Sequence, residues 1–123
     1  MVVDMHTHIL WGVDDGPQTM EQTMELLQQA VREGITDMIA TPHSGHPLSD
    51  VSFDTVTKRV LFLQQAIDKN NLPLTLHTGH EVRLCDDVIS SIRAKKVHTL
   101  ANSNYLLLEL LPHNPLLYNP SHP

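Results

Sequence analysis

Four short apolar runs, alternating with amphipathic stretches, limit what this 123-residue chain can fold into more than any other feature. The runs are "VVDMH" (2–6), "ITDMIATPH" (35–43), "LTLHTGHEV" (74–82) and "YLLLELL" (105–111). Short length, apolar or β-branched content and flanking Gly, Pro or Asn predict strands. After the first run, Met20, Met24, Leu27 and Val31 recur at helical spacing. Thr19 with Gln22 three residues later makes a capping box, and Gly34 suits a helix C-terminus because it takes positive φ cheaply. Residues 54–71 place Val56, Val60, Leu63 and Ile67 on one side of a second helix, and Pro73 follows its end. "CDDVISSIRAKK" is a weaker third helical stretch. The order β-α-β-α-β-α-β predicts an α/β fold: about four parallel strands, buried on both faces, joined by crossover helices. Residues 1–111 are expected to form one domain. Residues 112–123, "PHNPLLYNPSHP", have no period and read as a tail.

The charge balance narrows the partners. A net charge of −6 disfavours non-specific binding to nucleic acid or an anionic membrane. No apolar run approaches the roughly 20 residues that span a bilayer, and the N-terminus lacks the pattern of a signal peptide. A single cysteine, Cys85, excludes an internal disulfide framework and fits a cytoplasmic location. There is no P-loop and no G-x-S-x-G, and Cys85 has no phosphate-cradling loop around it.

Nine histidines in a chain with two Phe, two Tyr and one Trp suggest ligands. Residues i and i+2 of a strand project to the same side, so His6 and His8 point together. His43 follows "IATP" at the end of the second run, Glu81 follows "LTLHTGH" in the third, and Glu109 lies in the fourth. Asp15 sits on the loop after the first. In parallel α/β folds the carboxyl ends of the strands hold the site. His6, His8, Asp15, His43, Glu81 and Glu109 therefore converge on one rim. Imidazole and carboxylate without thiolate favour Mn, Zn or Fe over a structural zinc knot. Carboxylates bridging two ions suit phosphate-ester hydrolysis.

The other polar residues have plainer readings. Asp14 shapes the turn, which leaves Asp15 as the better ligand. Asp4 shares the face of His6 and His8, where it either hydrogen-bonds a histidine or caps the strand end. His77 faces the core or the helices, His80 points away from Glu81, His46 is either solvated on a polar loop or meets substrate, and His98 is a surface residue. His113 and His122 lie in the tail. Trp11 is either a lid or an ordinary apolar contact, and Arg83 is either solvated or touches an anionic substrate.

The segments "DMHTHILWGVDDGPQTMEQTMEL", "GITDMIATPH", "LHTGHEVRL" and "NSNYLLLEL" resemble the polymerase-and-histidinol-phosphatase (PHP) superfamily. Within it they resemble the bacterial manganese-dependent protein-tyrosine-phosphatase branch linked to capsule and exopolysaccharide control. The resemblance covers residues 1 to about 110. It implies a distorted (β/α) barrel holding two or three ions, Mn2+ first, with Zn2+ or Fe as alternatives. It implies hydrolysis of phosphotyrosine on a bacterial tyrosine kinase, in the cytoplasm. By position, His6 and His8 match the H-x-H ligands, Asp15 the aspartate of "DDG", His43 that of "TPH", Glu81 the bridging glutamate and Glu109 a further acidic site residue. Members of the branch are about twice as long, and their second half supplies further ligands and substrate-binding arginines. The expectation is therefore the N-terminal part of such a barrel, truncated, with impaired activity and an apolar edge at the fourth strand that self-association could cover. A non-catalytic metal-binding remnant and a histidinol-phosphate-type phosphatase are the alternatives.

Overall fold

The computed structural model describes residues 1–46, 48–84 and 88–109. Cys85, His113, His122 and the tail expected at 112–123 lie outside the described residues. The chain runs β1 (Val3–Thr7), α1 (Met20–Arg32), β2 (Asp37–Ala40), β3 (His43–Ser44), α2 (Phe53–Lys69), β4 (Thr75–His77), β5 (Glu81–Arg83), α3 (Val88–Arg93), a 3-10 turn at Leu100–Asn102, and β6 (Leu107–Glu109). Two three-stranded sheets result, ordered β1-β2-β4 and β3-β5-β6, and every pairing within them is parallel.

The second and third apolar runs are each broken in two. Pro42 has no N–H to give a ladder, so the second run stops at Ala40 and resumes at His43. The third breaks at Thr78–Gly79–His80. Gly79 passes so close to β2 that an added Cβ would lie 2.8 Å from Ile39 Cγ2 and 3.1 Å from the Ala40 carbonyl. Across both breaks the strands stay partnered: β2 with β4 before, β3 with β5 after. The Glu81 N–H donates to the Pro42 carbonyl at 2.9 Å and carries the pairing over.

Thr19 caps α1 by accepting from the Gln22 N–H at 3.2 Å. The reciprocal bond is shifted by one residue, since the Gln22 side chain accepts from the Gln18 N–H, not from Thr19. Gly34 follows at φ +91°. Ser52 caps α2 in the same way through the Thr55 N–H. Val56, Val60, Leu63 and Ile67 all face the core, and Leu63 and Ile67 are wholly buried. Each such side chain contributes about 1.5–3 kcal/mol by leaving water. They pack with Leu27 and Ala30 of α1 against Met38, Ala40 and Leu76 of the sheet. The stripe of α1 is centred on Thr23, Leu27 and Ala30, with Met20, Met24 and Val31 at its margins. Thr23 is tolerated there because its hydroxyl donates to the Ile9 carbonyl at 2.8 Å.

The expectation that the first strand is buried on both faces does not hold. Val3 and Met5 are 40% and 61% exposed, because β1 is paired on one side only among the described residues. β6 occupies an edge of the other sheet, with Leu108 exposed.

Candidate metal centre

The site begins with an irregularity in β1. Asp4 pairs with Met38 and Thr7 with Ala40, so three steps on β1 oppose two on β2. That extra residue is a β-bulge, which re-aims the side chains after it. Directly paired residues share a face, so Asp4 and Thr7 lie with the core residues Met38 and Ala40. The expected common face of Asp4 with His6 and His8 is therefore absent. Asp4 instead accepts from the His6 backbone N–H at 3.1 Å, which satisfies a donor freed by the bulge. His6 and His8 turn the other way, with ring centroids 5.4 Å apart.

The breaks in the second and third runs supply the next candidate ligands. His43 opens β3 and Glu81 opens β5, and the two are register partners. Their side chains thus start from neighbouring backbones and project to one side. Glu81 Oε1 lies 2.9 Å from His8 Nε2, 3.4 Å from His6 Nε2 and 3.5 Å from His43 Nδ1. Glu109 arrives from β6, with Oε2 3.9 Å from His43 Nδ1. Asp15 reaches in from the loop after β1, with Oδ1 3.4 Å from His43 Nε2. His43 and Glu81 lie 3.5 Å apart, and His6, His8, Asp15 and Glu109 each come within 4 Å of one of them, so all six expected ligands are brought together.

Three overlapping groups of donor atoms follow: His8, Asp14, Asp15 and His43; His6, His8 and Glu81; His43, Glu81 and Glu109. The atoms of each group lie within 4.8 Å of one another. Shared members join the groups into one cluster. His43 Nδ1 and Glu109 Oε1 are buried without a hydrogen-bond partner. A buried imidazole nitrogen beside a carboxylate, with no proton shared between them, fits a cation between the two.

Asp14 is the residue that sequence reasoning undervalued. It does shape the turn, accepting from the Gly16 N–H at 3.0 Å. Its wholly buried carboxylate also holds His8 Nδ1 at 2.8 Å. The ring is held between two carboxylates, with Nδ1–H donating to Asp14 and Nε2 2.9 Å from Glu81 Oε1; a carboxylate on Nδ1 is the usual orienting arrangement for a metal-binding histidine. The Asp14 bond raises His8 above the ordinary imidazole range, against the opposing effect of burial. Burial would raise the Asp14 carboxyl, but the His8 and Gly16 bonds outweigh it and hold it low. Gly16 admits no side chain, because an added Cβ would strike the His8 carbonyl oxygen.

The remaining histidines take structural positions. His46 faces His43 at 4.6 Å between centroids and accepts from the Leu48 N–H. With Asp15 and His43 it lines a cavity of about 410 Å³. His77 bonds the Asp37 carboxylate at 3.1 Å. His98 is not a surface residue: it is 4% exposed and stacks on Phe53 at 3.7 Å. His80 does point away from Glu81, into complete burial. Burial pushes His80 down to about 4, so it is neutral. Trp11 is a wall contact, packed against Phe62 and covered by the Arg59 guanidinium. Arg83 sits over Glu109 with N···O 3.5 Å, half-buried instead of solvated. A larger cavity of about 520 Å³, with Arg83, Lys95 and Lys96 on its wall, touches none of the six expected ligands. No helix of the described residues is long and apolar enough to cross a membrane.

The chain is similar to known proteins in sequence and in fold. Residues 2–119 match the family model for capsular polysaccharide synthesis, CpsB/CapC. A Staphylococcus aureus protein, CapC, provisionally named a tyrosine-protein phosphatase, is 38% identical over 95% of this chain and 46% of its own length. The Bacillus subtilis tyrosine-protein phosphatase YwqE is 30% identical over 88% of this chain and 42% of its own. A crystal structure from work on B. subtilis YwqE and Streptococcus pneumoniae CpsB, described there as metal-dependent tyrosine phosphatases, superposes with TM-score 0.84 at 29% identity, over 89% of this chain and 44% of that one. The chain spans less than half the length of the curated relatives it matches.

Proposed function

The chain belongs to the CpsB/CapC capsular polysaccharide synthesis family, and from that premise we propose that it is the metal-binding portion of a phosphoric ester hydrolase acting on phosphotyrosine. One observation carries the reading: a single carboxylate oxygen, Glu81 Oε1, stands within 3.5 Å of nitrogens from His6, His8 and His43. Three imidazoles and a carboxylate at this spacing serve a divalent cation better than they serve one another. His6, His8, Asp15, His43, Glu81 and Glu109 are the ligands in this reading, and Mn2+ is the ion, with Zn2+ or Fe as alternatives and two or three ions in the complete site.

A bound divalent ion would supply Lewis-acid polarisation of a phosphoryl oxygen and a hydroxide at neutral pH. The chain's own part is to hold donors in place. With Nδ1 held by Asp14, His8 Nε2 is the nitrogen that would face an ion. Glu81 belongs to two of the donor groups and would be shared between the ions they hold. Asp15, its side chain 79% exposed on its loop, brings Oδ1 to 3.4 Å from His43 Nε2. The substrate in this reading is the phosphotyrosine of a bacterial tyrosine kinase, met in the cytoplasm.

The test is Mn2+ uptake by the purified chain, followed by assay on a phosphotyrosine peptide and on histidinol phosphate. Expected are metal binding and preference for the peptide, both lost in His43→Ala or with chelator. Metal binding without turnover favours the non-catalytic remnant. Absence of metal binding by the folded chain overturns the proposal.

A further inference from the structure

His80 is a fully buried histidine that the proposed chemistry leaves unused. Its ring is wholly buried, and both nitrogens are engaged. Nε2 lies 2.7 Å from the Val51 carbonyl, which only accepts, so Nε2 carries the proton. Nδ1 lies 2.8 Å from the His98 backbone N–H, which only donates, so Nδ1 is bare. The neighbours therefore fix one neutral tautomer without reference to pH.

What the ring joins gives it a consequence. Val51, which accepts from His80, in turn donates its N–H to the His43 carbonyl at 2.8 Å. His80 itself precedes Glu81 in the chain. The ring thus bridges the backbone beside Glu81 to the residue that grips the backbone of His43. The direct link between the two ligand strands is short: β3 has two residues, His43 and Ser44. His98 extends the brace, with Nε2 2.9 Å from the Phe53 carbonyl at the start of α2 and its ring stacked on Phe53.

We propose that His80 is a positioning residue for the metal cluster, setting the separation of His43 and Glu81 from behind by one donated and one accepted hydrogen bond. The proposal rests on the ligand reading above for its consequence, but not for its geometry. It requires a side chain with one donor and one acceptor at ring spacing. Glutamine has both on one amide, and leucine has neither.

The experiment compares the parent with His80→Gln and His80→Leu in the full chain, with circular dichroism to confirm folding. The first readout is amide exchange at Val51 and Glu81, without metal. Protection there is expected to be kept in His80→Gln and lost in His80→Leu. The second is Mn2+ affinity by calorimetry, expected to fall by about tenfold or more in His80→Leu and to be restored by His80→Gln. The third needs no variant: nitrogen NMR of the parent is expected to show Nε2 protonated and Nδ1 bare, before and after Zn2+. A folded His80→Leu with parental protection and affinity overturns the proposal, and so does equal loss in both variants. The opposite tautomer, or a ring that shifts on adding Zn2+ as a ligand would, overturns it even if His80→Leu does not fold. A parent that takes up no Mn2+ defeats the metal reading alone, and the exchange and tautomer readouts still decide the role of His80.

Discussion

Replacing Asp14 by alanine tests whether orientation, and not only ligand count, makes the site. The wild-type carboxylate satisfies two donors, His8 Nδ1–H at 2.8 Å and the Gly16 N–H at 3.0 Å. Truncation strands both, and each unsatisfied, partly buried donor costs about 1–3 kcal/mol. The His8 side chain is 21% exposed, so water recovers part of that cost. The metal-free chain is then expected to lose about 2–4 kcal/mol of stability. Loss of an orienting partner typically weakens a metal site about 10–100-fold, or about 1.4–2.8 kcal/mol. Urea unfolding with chelator present measures the first quantity, and Mn2+ calorimetry the second. The His8 titration, followed by NMR, should move down towards the ordinary imidazole range, because the Asp14 bond is the first cause of its elevation. Asp14→Asn keeps an oxygen for Gly16 but no charge for His8, and should fall between the two. Affinity within about threefold of the parent in a stably folded Asp14→Ala would refute the reasoning, leaving Asp14 as a turn residue only.

Other outcomes follow from the same structure. In the metal-free chain, folding holds His80 neutral down to about pH 4, while an unfolded histidine takes its proton near 6.5. The folded state therefore gains about 3 kcal/mol that is fully present above pH 6.5 and disappears as pH falls towards 4. His80→Gln should flatten that acid-side slope in urea titrations at stepped pH, and an unchanged slope would contradict it. Leu63→Ala, at a position with no exposure, should cost about 2–5 kcal/mol in the same assay. Gly79→Ala forces a Cβ against Ile39 and the Ala40 carbonyl and should cost about 1–3 kcal/mol, together with weaker Mn2+ binding because Glu81 lies just beyond. Thr19→Ala should cost only about 1 kcal/mol, a cap's worth, and leave Mn2+ affinity alone.

Periodicity made the helices legible. Val56, Val60, Leu63 and Ile67 declare the buried side of α2 through spacing alone, and Thr19 marks the start of α1 because free N–H groups need an acceptor there. The breaks in the second and third runs were less visible. Pro42 is a clear interruption, but Gly79 shows its reason only when β2 is seen pressed against it. The same holds for the bulge in β1. Strict alternation puts Asp4 with His6, and nothing in "VDMHT" announces the extra residue. His98 was misjudged because a lone histidine after two lysines reads as surface, whereas here the Phe53 ring and carbonyl give it a buried berth. The candidate ligand cluster stood out because its members are chemically conspicuous and fall at strand ends. Asp14 did not, because one of two adjacent aspartates carries no mark of which faces inward.

The two-rung ladder of β3 on β5 has a consequence for how the chain settles. His43 opposes Glu81 and Ser44 opposes Val82, and the ladder goes no further. Slippage by one rung would leave the imidazole and the carboxylate on opposite faces, since alternate residues face opposite ways. So brief a zipper has little to choose its own alignment. Loading with an ion that grips both side chains would select the aligned form out of its neighbours, so that the guest enforces the order on which its own binding depends.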